Sequence, residues 1–175
     1  SKLSISDDSI SGQLFLTEPN YKNSNKSFKR GIERKEDDYI SKYGYKNEKT
    51  GFVVGTSYEQ YRDVFFSPNI SLYHENITTT SAASNAKQKQ KGDYLDLILD
   101  YGITYNKLNQ NFNPTDGYKI RFSQDLPIYS EDFTLINSVN FTNYIQTENR
   151  TLFSFSFYTA TSTSLSNDDA RITKR

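Results

Sequence analysis

The sequence predicts an all-β fold, an antiparallel up-and-down meander of about eight long strands. Apolar and polar residues alternate with period two through most of the chain, and helical periodicity is hard to find. Aromatic residues make up 15% of a chain that is only 34% hydrophobic, a mixture that fits neither a disordered segment nor a helical bundle. The four prolines (Pro19, Pro68, Pro114 and Pro127) fall between the alternating segments, as expected of a residue that cannot donate to a ladder.

In chain order, weaker strands fit at 9–17 and 26–35, and in the second Arg30 interrupts the face of Phe28 and Ile32. Over 51–61, Phe52, Val54 and Tyr58 oppose Gly55, Ser57 and Glu59. A further weak strand fits 69–79. The clearest case is 94–105, where Leu95, Leu97, Leu99, Tyr101, Ile103 and Tyr105 share one face. Asp96, Asp100, Gly102 and Thr104 share the other, with Ile98 as the exception. Over 118–126, Tyr118, Ile120, Phe122 and Leu126 oppose Lys119, Arg121, Ser123 and Asp125. Phe133, Leu135, Val139 and Phe141 alternate with Thr134, Ser138, Asn140 and Thr142 in 132–146, and Phe153, Phe155 and Phe157 with Ser154 and Ser156 in 151–159. Many of these strands run near ten residues, longer than the usual five or six or so and close to the roughly 9–11 of a tilted bilayer crossing.

Connections near 18–26, 61–68, 106–117 and 146–150 carry turn chemistry, notably Asn113, Pro114, Thr115, Asp116 and Gly117. Gly117 is expected at positive φ. Those near 36–50, 80–93 and 126–132 read as longer or more charged, with Glu36-Asp37-Asp38 and the lysines of 87–91 inside them. In a meander, every second connection lies at the same end.

Two placements of the apolar face fit the alternation. In a soluble sandwich or lipocalin-like barrel it packs inward. In a membrane barrel it meets lipid, and the small polar face lines a wet lumen. Strand length, the Ser/Thr/Asn-rich opposite face and tyrosines near strand ends (Tyr94, Tyr105, Tyr118, Tyr144) favour lipid. On that placement Leu95, Leu97, Leu99, Tyr101, Ile103, Ile120, Phe122, Phe153, Phe155 and Phe157 face lipid, and Asp96, Asp100, Lys119 and Arg121 face the lumen.

Composition excludes several functions. Lys+Arg and Asp+Glu are both 21, so the basic excess that nucleic acid needs is missing. Apolar runs reach three residues, as in Leu97-Ile98-Leu99, far short of the ~20 of a membrane helix. Without Cys there is no thiolate nucleophile, disulfide or Cys-based zinc site. One histidine, His74, builds neither a triad nor a paired-His metal site, and a structural or lumenal role is expected. Asp96 and Asp100 lie roughly 13 Å apart along a strand, beyond the ~5–9.5 Å of a glycosidase pair, and are expected to pair with Lys119 and Arg121. Glu36–Asp38 reads as a solvated acidic loop rather than a calcium site, and the 87–91 lysines as a loop able to meet lipopolysaccharide phosphates. Asn-x-Ser/Thr triplets such as Asn69-Ile70-Ser71 are expected by chance in so Asn-rich a chain. No enzymatic activity and no cofactor are expected. The lack of Met and the strand-like start at Ser1 predict an internal fragment.

Residues 101–119 (YGITYNKLNQNFNPTDGYK) resemble a strand–turn–strand of the outer-membrane assembly factors of the Omp85 family. Thr17-Glu18-Pro19-Asn20-Tyr21, Tyr43-Gly44-Tyr45, Gly51-Phe52, Glu59-Gln60-Tyr61 and Phe122–Pro127 follow in the family's order. Asp169–Arg175 resembles the approach to its sixth loop. Asn20 departs from the family's aromatic at that turn. The resemblance implies that 1–175 is a central part of a 16-stranded transmembrane β-barrel. POTRA domains, the terminal gate strands and the Val-Arg-Gly-Phe motif would lie outside it. It also implies the Gram-negative outer membrane, outer-membrane lipid and lipopolysaccharide around the barrel, and nascent outer-membrane proteins and assembly-complex lipoproteins as partners of the whole protein. The turn at 113–117 would then be periplasmic. Alternatives are another outer-membrane barrel (two-partner secretion or a passive pore) or a soluble β-rich binding module.

With an apolar sheet face and open edges, the purified chain is expected to need detergent. Recovery of a stable monomer at high concentration in plain buffer, checked by light scattering, would contradict the membrane placement.

Overall fold

The structure, a computed structural model, describes residues 1–165. The resemblance noted for Asp169–Arg175 lies outside them. Among the described residues nine strands follow one another: β1 (Lys2–Ile5), β2 (Ser9–Glu18), β3 (Ser27–Tyr39), β4 (Tyr45–Tyr61), β5 (Val64–Thr79), β6 (Gly92–Asn106), β7 (Gly117–Tyr129), β8 (Thr134–Gln146) and β9 (Leu152–Ser164). They form one sheet in sequence order, every neighbour antiparallel. Short helices α1 (Ile40–Tyr43) and α2 (Asn85–Gln88) sit in two connections. The all-β meander is as expected, with β1 added to the predicted eight strands.

The register fixes two faces, because residues opposite each other in an antiparallel ladder project to the same side. One face carries Leu14, Ile32, Phe52, Leu72 and Leu97 in a single row. The other carries Lys29, Gly55, Asn69, Asp100 and Asp125 in a row. The sheet curls around this second, inner face. A cavity of about 300 Å³ is lined from β2 to β8, by Phe15, Lys49, Tyr73, Asp100 and Ile136 among others. On a flat sheet β2 and β8 would stand about 29 Å apart at ~4.8 Å per strand.

Glycines on the inner face give the curl its room. The Tyr73 ring lies over Gly51, Phe15 over Gly31, the Asn69 amide over Gly55 and the Arg121 guanidinium over Gly102. In each case the neighbouring strand's side chain fills the space a Cβ would occupy.

Four expectations need correction. Glu36–Asp38 is part of β3, and the connection expected over 36–50 shrinks to 40–44. The reason is a ladder of charge pairs that extends both strands: Lys46 Nζ lies 2.7 Å from Glu36 and 2.9 Å from Glu48, and Lys35 2.8 Å from Asp37. Connection length therefore does not alternate between the two ends. The 107–116 connection is pinned by Asn109, whose Oδ1 accepts from Thr115 N (3.1 Å) and Asp116 N (3.3 Å). Asn113 and Gly117 there adopt φ of 47° and 97°. Two prolines lie inside strands. Pro68 occupies a gap in the β4–β5 ladder, where the Ser57 and Ser67 hydroxyls meet at 2.7 Å instead. Pro127 sits at the β6–β7 bulge, past the last β7–β8 pair. Both positions spare a missing N–H.

Tyr73 leaves no space beside Gly51, so Gly51→Val should cost about 1–3 kcal/mol through overpacking. Gly12, whose Cβ would meet only Leu3 at 3.8 Å, should tolerate Ala. Urea midpoints of the detergent-refolded chain check both.

Candidate functional site: the two faces of the wall

The outer face keeps large apolar side chains in the open. Leu95, Ile103, Ile120, Phe153, Phe155 and Phe157 are all exposed there, as are Leu14, Ile32, Phe52 and Ile70. Leu97, Leu99, Tyr101 and Phe122 share this face by register and are half-buried among their neighbours. Exposed apolar area of this extent marks a surface that meets something other than water. Two chains of aromatic rings cross it. Tyr58, Phe66, Tyr101 and Phe122 follow one another at 5.9, 6.0 and 6.4 Å between centroids. Tyr105, Tyr118, Phe141 and Phe155 follow at 5.8, 6.5 and 6.2 Å.

The apolar band crosses the register obliquely. The row through Leu14 and Leu97 reaches Tyr129, the last residue of β7, whereas the outer apolar residues of β7 centre near Phe122. The band therefore slides about 6 or 7 residues over five strand steps. With ~3.4 Å per residue and ~4.8 Å per strand, it is level only if strands tilt roughly 40–45° from its normal. On β6 it extends from Leu95 to Tyr105, about 34 Å along the strand and about 25 Å in height at that tilt.

The inner face is polar. Asp100 accepts from Asn69 Nδ2 at 2.6 Å and Ser71 Oγ at 2.9 Å, and stands opposite Asp125. Asp96, fully buried, accepts from Ser130 Oγ at 2.6 Å. Lys119 and Arg121 share this face but do not pair with Asp96 or Asp100. The register sets them opposite Asn106 and Thr104, toward the other end, and Arg121 Nε donates to Ser123 Oγ at 3.1 Å. A second cavity of about 270 Å³ is lined by Lys2, Ser11, Gln13, Glu33, Lys35 and Lys49.

Two further sequence expectations change. Of the four tyrosines expected as outer anchors, only Tyr105 and Tyr118 lie on the outer face. Tyr94 and Tyr144 have the parity of Glu75 and Ser154 and point inward. His74 lies on the outer face, opposite Thr50 and Leu95, with Nε2 3.6 Å from Asp93. Outside the strands, hydrogen bonds hold two ammonium groups above the ordinary lysine range, Lys42 through Asp8 and Lys107 through Asp63. Among the described residues no group of three or more His, Asp or Glu side chains is placed to hold a metal. The geometry separates an apolar surface from a polar one.

The Omp85 superfamily domain matches residues 2–175. Among solved structures the chain is similar to BamA from Haemophilus ducreyi lacking POTRA domains 1–3, with a TM-score of 0.76 and 18% identity. That match covers 93% of this chain and 35% of the BamA chain, so the chain spans about a third of that relative's length. No curated protein sequence matches.

Proposed function

The chain belongs to the Omp85 superfamily, and from that membership we propose that it forms part of the wall of a Gram-negative outer-membrane β-barrel whose whole protein folds and inserts other barrel proteins. The observation that carries the wall is the tilted apolar band of the outer face, about as tall as the ~25 Å apolar zone of such barrels. Leu95, Leu97, Leu99, Tyr101, Ile103, Ile120, Phe122, Phe153, Phe155 and Phe157 then face lipid. Asp96, Asp100, Lys119 and Arg121 face an aqueous lumen. Lipid tails cover the apolar side chains, and the sheet satisfies the backbone within the bilayer. The chain's role is non-enzymatic, with outer-membrane lipid and lipopolysaccharide around it. Nascent barrel proteins and assembly lipoproteins are partners of the whole protein.

The chain has no Cys, so single cysteines report cleanly. Along 95–103 in the membrane-embedded protein, odd positions should resist aqueous thiol reagents, and the even positions 98 and 100, which line the inner cavity, should react. Equal protection of both sets would refute the lipid-facing assignment. Depleting the whole protein should lower many outer-membrane barrel proteins together. Loss of one secreted partner alone would point to two-partner secretion instead.

A further inference from the structure

On the outer face, the strand register sets Gly12, Arg34, Thr50 and His74 side by side across β2 to β5. The adjoining outer row, one pleat toward the 107–116 turn, is Leu14, Ile32, Phe52 and Leu72, all exposed. Arg34, Thr50 and His74 are thus each the first outer residue past the last apolar one of their strand. Arg34 and His74 stand two strands apart, about 10 Å at ~4.8 Å per strand, with the exposed Thr50 between them.

The donors of this row face outward. The Arg34 side chain is 61% exposed, and its guanidinium stays 3.7 Å from Glu36 and 3.9 Å from Glu48, beyond good hydrogen-bond distance. Those carboxylates are held instead by Lys46, at 2.7 and 2.9 Å. Gly12 and Thr50 flank Arg34 in its row, so no bulky side chain covers it. His74 is equally exposed. An imidazole offers an N–H whether or not it is protonated. Glu36, Glu48 and Asp93 lie in the next outer row, about 7 Å further along at ~3.4 Å per residue. Each already has a partner, Asp93 through Asn76 Nδ2 at 2.7 Å and His74 Nε2 at 3.6 Å. The face is therefore layered: apolar side chains, then hydrogen-bond donors with a fixed positive charge, then compensated carboxylates.

We propose that Arg34, Thr50 and His74 form a phosphate site for lipopolysaccharide, with the phosphorylated sugars of its lipid anchor against these donors and its acyl chains over Ile32, Phe52 and Leu72. The inference rests on the reading that the outer face meets lipid and that the 107–116 turn is periplasmic, which puts this row at the outer leaflet. The layering is that of an anionic amphiphile standing upright against the wall. A guanidinium takes a phosphate through two parallel N–H bonds, a geometry that a lysine ammonium does not reproduce. Donors about 10 Å apart suit a disaccharide with a phosphate on each sugar better than a phospholipid headgroup with one.

The test titrates the whole protein in mild detergent with three lipids and counts bound lipid by native mass spectrometry. The lipids are diphosphorylated lipid A, the same lipid stripped of phosphate, and phosphatidylglycerol. Diphosphorylated lipid A should bind tightest. Arg34→Ser combined with His74→Ser should weaken it at least tenfold and leave the dephosphorylated lipid unchanged, which also shows that the variant is folded. Lys29→Ser removes a cation from the inner face and should change nothing. Equal affinity of the double variant and the parent for diphosphorylated lipid A would overturn the site. Phosphatidylglycerol bound as tightly, with the same loss in the double variant, would overturn lipopolysaccharide as the occupant. If none of the three lipids bound even the parent protein, the lipid-facing reading would fall and the site with it.

Discussion

Everything in this wall depends on strand register. Side chains alternate with a period of two, so a slip of one residue would carry Leu95–Ile103 to the polar side and Asp96 and Asp100 to the apolar side. The pairing that prevents this is continuous from β2 to β9, broken only at bulges and at Pro68. Each break sits where a missing N–H or an extra residue is needed. The two surfaces are consequences of that single constraint, and so is the polar composition. Half of each strand is free to be Ser, Thr, Asn or charged without weakening the apolar side.

Curvature adds the second level. Gly31, Gly51, Gly55 and Gly102 all lie on the inner side, each overlaid by a neighbour's side chain. Large residues outside and covered glycines inside bend the sheet toward the polar face. The bend brings Lys29 and Lys49 into the same cavity as Asp100 and Asp125. Where the strands rise past the apolar band, pairing between Lys46, Glu36 and Glu48 replaces burial as the reason to stay extended.

Much of this was legible in the sequence because alternation is a local signal. The β6 and β7 faces follow from counting odd and even positions, and the same count assigns Tyr94 inward, a parity that grouping tyrosines by closeness to strand ends overlooks. The extension of β3 through Glu36–Asp38 was not legible, since an acidic run looks like a loop until its cross-strand lysine is known. The partners of Asp96 and Asp100 were hidden for a related reason. They depend on which residues stand opposite, and Asn69, Ser71 and Ser130 arrive from segments 25 or more positions away.

The claim that the outer face meets lipid has a direct test. The chain contains no tryptophan, so one introduced at Leu99, mid-band on β6, is the sole indole reporter. In bilayers of brominated lipids its fluorescence should be quenched most strongly by bromine placed deep in the acyl chains, while tryptophan at Asp100 is quenched little at any depth. Equal and weak quenching at both positions would contradict the account.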